Sequence, residues 1–290
     1  MANHLIDQFR VKPKTGVRLQ DFDSNWTGDH EDKEEAEALV QANLQLMSES
    51  QQLLWASARY SLLIVLQAMD AAGKDGLIKH VMSGVNPQGC EVHAFRQPSA
   101  EELAHPFLWR YSAQTPSRGR IGILNRSYYE EVLVVRVHPE WIEKQNIPDA
   151  KPGHKLWEQR YDDINAFERH LTRNGVVVLK FFLNVSKKVQ KQRLLARLED
   201  PGKHWKFSAA DLAERAYWDE YMKAYQDALS ATSTQHSPWY VIPADHKWVS
   251  HWIASEILVR TIQSLDLKPP KPTKAQEAEV RKALRELKKR

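Results

Sequence analysis

The apolar run Ser61-Leu-Leu-Ile-Val-Leu-Gln67 leads into Ala68-Met-Asp-Ala-Ala-Gly-Lys-Asp-Gly76. A buried strand, a turn of small residues and a glycine-lysine pair opening a helix make a phosphate-binding loop. Its backbone N–H groups wrap phosphate oxygens at the helix N-terminus, and its lysine neutralises the terminal phosphates. Lys74 is the candidate catalytic cation, and Met69, Ala71, Ala72, Gly73, Asp75 and Gly76 are candidates for holding phosphate or nucleotide. Two positions depart from the commonest pattern. Ala68 stands where the first glycine belongs, and Asp75 replaces the Ser/Thr that binds Mg²⁺. Ala68 suits such a turn only with φ below zero. Asp70 puts a carboxylate inside the loop, where it would repel phosphate unless a cation lay between them. It either coordinates Mg²⁺ or orients the accepting phosphate, or else it caps the following helix.

A second constellation, Gly122-Ile-Leu-Asn-Arg-Ser-Tyr-Tyr-Glu-Glu131, is a strand ending in polar residues, where open α/β sheets place ligands. Asn125 takes the position of the usual metal-directed aspartate, and Arg126 offers a planar fork for phosphate oxygens. The alternative is a surface turn; Tyr128 and Tyr129 read as core packing in either case. A third constellation is the basic helix from Lys187, broken at Pro201-Gly202 and followed by Lys203, His204 and Lys206. Nucleotide kinases close such a segment over the phosphates to exclude water and stabilise transferring charge. Some of these charges form a solvated face; Arg193 and Arg197, one turn apart, are the stronger candidates.

The elements that must position these residues alternate. Strands are expected at 61–67, 90–95, 120–124, 176–184 and 239–243. Helices are expected at 31–60, from 74, and at 100–111, 128–137, 156–173, 187–198, 209–231 and 247–265. Such alternation predicts a doubly wound parallel sheet with helices on both faces. Residues 1–30 read as an extended arm packed on the body, and residues 269–290 as a charged helical tail beyond Pro269-Pro270.

Composition limits the alternatives. The 290 residues are 42% hydrophobic and 27% charged, as in ordinary globular chains. No apolar run approaches the roughly 20 residues that cross a bilayer, and the first thirty residues lack an apolar signal core. The single cysteine, Cys90, excludes an intrachain disulfide and a cysteine zinc cluster. The expectation is a cytoplasmic protein that is not a membrane protein. The formal charge of +4 is uneven: residues 271–290 carry +5, and residues 180–206 carry +6, counting Lys180. One local basic segment suits a compact polyanion better than a nucleic acid, whose binders spread their cations over a face.

Taken together, the chain resembles the family-2 polyphosphate kinases from about residue 5 to residue 265. The loop Asp70-Ala-Ala-Gly-Lys-Asp-Gly76 matches the family's Asp-x-x-Gly-Lys-x-Gly. Val85-Asn-Pro-Gln-Gly89, Glu102-Leu-Ala-His-Pro-Phe-Leu-Trp-Arg110, Asn125-Arg-Ser-Tyr-Tyr129, Lys203-His-Trp-Lys-Phe207 and Pro238-Trp-Tyr-Val-Ile-Pro-Ala-Asp245 resemble other family segments. Asn125 with Glu130 resembles the family's class III; Pro106 departs from the acidic residue expected after His105, although proline fits a first helical turn.

The resemblance implies a thymidylate-kinase-like P-loop fold: a three-layer α/β/α sandwich with a five-stranded parallel sheet and a helical lid around 186–215 on a kinase domain spanning 31–268. It implies a Mg²⁺-dependent enzyme that passes phosphate reversibly between inorganic polyphosphate and AMP or ADP, giving ADP and ATP, with GMP and GDP as further acceptors and a dimer or tetramer as the assembly. By position, Asp70 would bind Mg²⁺ or orient the acceptor, and Lys74, Arg126 and Glu130 would be catalytic, with Glu130 helping to accept a monophosphate. Arg96, Arg110 and Asn125 would join the loop in binding phosphate or nucleotide. Arg193, Arg197, Lys203, His204 and Lys206 would line the polyphosphate channel. Two other functions remain compatible with the residues: a nucleoside monophosphate kinase that uses ATP, and a non-catalytic P-loop protein that binds nucleic acid through its basic tail.

Overall fold

The computed structural model describes residues 2–28 and 33–288. The chain begins with α1 (Ala2–Asp7), and α2 (Lys33–Ser57) precedes the first strand, β1 (Ser61–Ala68). Then come α3 (Lys74–Val81), β2 (Cys90–Ala94), α4 (Ala100–Leu103), α5 (Trp109–Ser112) and β3 (Ile121–Asn125). A 3₁₀ turn, Tyr128–Val132, leads to α6 (Val134–Val137), α7 (Glu140–Lys144), α8 (His154–Arg173) and β4 (Val176–Asn184). Next are α9 (Lys187–Leu198), a second 3₁₀ segment (Pro201–Lys206), α10 (Ala209–Ala216), α11 (Trp218–Thr232), β5 (Trp239–Pro243), α12 (Lys247–Gln263) and α13 (Lys274–Leu287).

The five strands form one parallel sheet in the order β2-β3-β1-β4-β5. Every residue of β1 is buried, and β4 and β5 are buried almost throughout, as strands covered on both faces must be. One layer holds α2, α3 and α12; the other holds α6, α8 and α11. Gly122 in β3 is needed for packing: a Cβ there would lie 2.9 Å from Cδ of Pro116.

The expected architecture stands, with local differences that have physical causes. The helix expected over 100–111 is two short helices. Pro106 has no N–H to give a helix, and its carbonyl accepts the Trp109 N–H at 2.8 Å in the turn before α5. The helix expected over 128–137 starts as a 3₁₀ turn and is reset at Leu133. The helix expected over 209–231 is divided at Tyr217 into α10 and α11. The N-terminal arm is helical at its start and then joins the sheet edge: Val11 N–H donates to Trp239 O at 2.9 Å, and Val241 N–H to Phe9 O at 2.8 Å. Residues 1, 29 and 30 of that arm and residues 31, 32, 289 and 290 lie outside the described residues. The tail helix α13 is exposed along its length.

Lys180 corrects the sequence-level charge count. It is fully buried in β4 and donates to Glu168 Oε2 at 2.6 Å, Tyr129 Oη at 3.0 Å and Thr232 O at 2.7 Å. Tyr128 and Tyr129 each donate to Glu168 Oε1 at 2.9 Å, and both are wholly buried, so they pack as expected. Lys180 therefore adds nothing to the basic surface over 180–206. Its positive charge is spent inside the core, where leaving it alone would be very costly.

Candidate active site

The carboxyl ends of β1 and β3 open into a cleft of about 580 Å³, lined by the phosphate loop, α3, the end of β2, α9 and the start of α12. The loop turns through two left-handed residues, Ala71 at φ +62° and Gly73 at φ +119°. Ala68 is not among the positive-φ residues, as its type requires. The strain has moved to Ala71, and Arg126 across the cleft is also left-handed, at φ +63°. Non-glycine residues persist in that region where surrounding structure over-determines them, often at functional sites. Met69 and Ala72 are buried in the core cluster, so the small residues let the loop backbone close tightly.

Asp70 is not the cap of α3. Gly73 occupies the N-cap without a side-chain hydrogen bond, and the Asp70 carboxylate accepts from Arg126 Nη2 at 2.9 Å. The strand-end arginine and the loop aspartate thus meet over 56 residues of sequence. Glu130 lies behind them. Its carboxyl is pushed up by burial, against the pull of Arg126 and Lys74, while Glu130 and Asp70 hold the Arg126 guanidinium firmly protonated. Lys74 Nζ donates to Ala68 O at 2.8 Å; burial lowers its pKa, opposed chiefly by Asp70. A phosphate bound here would add to the negative charge that Asp70 already sets beside this ammonium.

Asn125 Nδ2 donates to Asp75 Oδ1 at 2.8 Å, which joins the end of β3 to the first turn of α3. Gly76 and Arg96 also line the cleft, and Arg96 is exposed at its β2 end. Arg110 is placed elsewhere. It is buried against the Phe95 and Tyr111 rings, pairs with Glu102 at 3.2 Å and donates to Arg96 O at 2.9 Å, so it holds up the segment that carries Arg96.

The basic segment divides in the same way. Arg193 lines the cleft, yet its guanidinium donates to Ala72 O at 2.6 Å, Ala244 O at 2.7 Å and Asp245 O at 2.9 Å. It clamps the phosphate loop to the turn after β5. Arg197 and Lys203 also line the cleft, and pair with Asp211 at 3.4 Å and Asp200 at 2.7 Å. His204 closes its own turn on Leu198 O at 2.9 Å and does not line the cleft. The Lys206 side chain lies outside the described residues.

Several groups at the site escaped the sequence reading. Gln190 Nε2 donates to Asp70 O at 3.0 Å and is itself gripped by Arg215. Asp211 on α10 has its carboxyl pushed up by burial and by the charge of Asp70. No local pattern marks either residue. Lys247 and His251 were legible in principle, since they follow the carboxyl end of β5, where such sheets bind ligands. Among the described residues no cluster of three or more His, Cys, Asp or Glu is arranged to hold a metal. The Asp70 carboxylate, which lines the cleft, still fits a hard divalent ion that would arrive with phosphate. Mg²⁺ typically takes one or two protein carboxylates and completes its shell with water and phosphate oxygens.

A family model described as polyphosphate kinase 2 matches residues 29–270. The chain is 48% identical over 274 residues to the ADP-polyphosphate phosphotransferase of Rhodopseudomonas palustris, covering 94% of this chain and 95% of that protein. It is 44% identical over 274 residues to the AMP/ADP-polyphosphate phosphotransferase of Meiothermus ruber, covering 94% and 98%. The crystal structure of polyphosphate kinase 2 from Arthrobacter aurescens TC1 superposes with a TM-score of 0.85 at 40% identity, covering 96% of each chain.

Proposed function

This chain belongs to the polyphosphate kinase 2 family and is a polyphosphate-dependent nucleotide kinase, and we propose that one site carries AMP through ADP to ATP. The observation that carries this reading is the Asp70–Arg126 pair with the half-buried Glu130 beside it, next to a phosphate loop that ends in Lys74. A terminal oxygen of the nucleotide attacks the end phosphorus of the polyphosphate chain. The P–O bond to the rest of the chain breaks as the new one forms, and the shortened chain leaves with the bridging oxygen.

Catalysis of this kind is positioning and charge neutralisation, with little demand for a strong base. Lys74 and the loop N–H groups hold the donor's end, and Arg126 takes the charge that spreads over the transferring oxygens. Asp70 orients Arg126 and would be the protein ligand of a divalent ion. Mg²⁺, when bound with substrate, would neutralise phosphate charge. Asn125, Asp75, Gly76 and Arg96 shape the acceptor side. Residues 186–215 act as a lid whose Arg197 and Lys203 exchange carboxylate partners for phosphate, with Lys206 joining them. Arg193 keeps the loop in shape. A cytoplasmic homo-oligomer is the setting proposed for this activity. Among the described residues no helix is long and apolar enough to cross a membrane.

Incubating the purified protein with AMP, polyphosphate and Mg²⁺, without ATP, tests the reading. ADP should form first and ATP after it. Phosphorylation of AMP by ATP alone, with polyphosphate inert, would return the chain to ordinary monophosphate kinases.

A further inference from the structure

The phosphate loop is held along one side by α9. Gln190 Nε2 donates to Asp70 O at 3.0 Å, and Arg193 Nη1 donates to Ala71 O at 3.3 Å and Ala72 O at 2.6 Å. Residues at i and i+3 share one face of a helix, so a single face of α9 takes three consecutive loop carbonyls. The loop peptides are trans, and a trans peptide sets its N–H opposite its C=O. The N–H groups of Ala71 and Gly73 are therefore turned away from α9, and both residues line the cleft. The bond at Asp70 O fixes the peptide that enters the left-handed Ala71, where the loop is strained.

Gln190 is 1% exposed, and the other end of its amide is also taken: Arg215 Nη1 donates to Gln190 Oε1. An amide carries its donor and its acceptor in one plane, so a partner at Oε1 aims Nε2. Arg215 belongs to α10, with its guanidinium 5.8 Å from the centre of the Trp218 ring. The residue before it, Glu214, ties α10 to the body. Its carboxylate accepts from Tyr221 Oη at 2.5 Å and lies 2.9 Å from His138 Nε2. The place of α10 is thus passed to the phosphate loop through two side chains, and neither of them lines the cleft.

We propose that Gln190 is a positioning residue for phosphoryl transfer. Aimed by Arg215, its amide sets the Asp70–Ala71 peptide so that the Ala71 N–H faces the donor's end phosphate, and α10 must be seated for the loop to keep its working shape. The inference rests on the kinase reading of the site.

The test measures kcat and KM with long-chain polyphosphate and either AMP or ADP, with melting temperatures alongside. The proteins are wild type, Gln190→Glu, Gln190→Met, Arg215→Met and Arg215→Lys. Gln190→Glu keeps the size of the side chain and its hold on Arg215, but a carboxylate cannot donate to Asp70 O. Its kcat should fall about a hundredfold, the scale set by a misplacement of about 1 Å. The factor should be the same with AMP and ADP, and KM for the nucleotide should stay near wild type. Gln190→Met should behave alike. Arg215→Met should lower kcat about tenfold, and Arg215→Lys, which still donates to Oε1, should recover most of it. A side chain that merely supports the fold would lower the melting temperature and leave kcat per folded molecule intact. Arg215 is half-buried, so its variants remain a fair test even where a buried Gln190 variant fails to fold. Wild-type kcat in folded Gln190→Glu or Arg215→Met, or equal losses in Arg215→Met and Arg215→Lys, overturns the positioning role while wild-type activity on polyphosphate preserves the function. A wild type inert on polyphosphate overturns the function and the inference with it.

Discussion

Asn125 Nδ2 stands 2.8 Å from Asp75 Oδ1, so the end of β3 and the first turn of α3 are tied by one charge-assisted hydrogen bond. Read along the chain, an asparagine in place of aspartate and an aspartate in place of Ser/Thr are separate departures. In the fold they are one pair, and each residue explains the other. An aspartate at 125 would replace the bond with two carboxylates that repel each other.

Asn125→Asp should therefore lower stability by about 0.5–1.5 kcal/mol through the lost bond and new repulsion, and should raise KM for the nucleotide. Adding Asp75→Asn restores a donor–acceptor pair with the roles exchanged. The double variant should recover most of the stability in urea titrations. Additive damage instead of recovery would show that the two side chains do not act as a pair.

Asp70 and Arg126 hold each other in the cleft beside the phosphate loop. Arg126→Lys, which cannot reproduce the planar fork, should reduce kcat by about a thousandfold, the scale at which a transition-state arginine acts. Asp70→Ala and Lys74→Ala should abolish turnover while circular dichroism and melting remain near wild type. Near-normal turnover in any of the three would remove these residues from the chemistry.

Glu130 carries a pH signature. Burial raises its pKa in the folded protein above the ordinary 4.5, so the folded state binds the proton more tightly than the unfolded chain does. Stability must then fall as pH rises from about 4.5 to the raised value, and stay level above it. Glu130→Gln abolishes that loss. Its unfolding free energy should gain on wild type through this window, while turnover with AMP falls more than turnover with ADP. A stability difference that does not change with pH would refute the assignment.

The Lys180–Glu168 pair is a structural charge pair without access to solvent. Removing one partner leaves an unpaired charge in the core, so Lys180→Met should cost about 3–5 kcal/mol. Lys180→Met with Glu168→Gln should cost clearly less. Activity per folded molecule should be preserved in the double variant, as assayed after a urea-stability measurement. A kcat collapse in a well-folded double variant would place the pair in the active site instead.

How much of this was legible depends on the range of the interaction. β1, β4 and β5 could be read because strands buried on both faces are written as apolar runs, and the phosphate loop because its helix start is a local pattern. Pro106 and Leu133 interrupt helices for reasons that helical periodicity overlooks. The cations were the least legible. Lys180, Arg193 and Arg197 belong to one basic stretch, yet one neutralises a buried glutamate, one grips loop carbonyls and one lines the cleft beside Asp211. Their partners lie on other elements, and a charge count cannot tell an exposed ammonium from a spent one. Asp211 and Gln190 reach the site only through the placement of α9 and α10.

The bonds of Phe9 and Val11 to β5 also bear on how the protein is made. These bonds join positions more than two hundred residues apart in the chain, so Phe9 and Val11 stay unpaired until β5 has been synthesised. Until then the buried side chains of Phe9 and Val11 have no sheet edge to pack against. Closure of the sheet thus doubles as a check that β5 has been made. A product truncated before Trp239 leaves Phe9 and Val11 unpaired, exposing apolar surface of the kind that chaperones and proteases recognise.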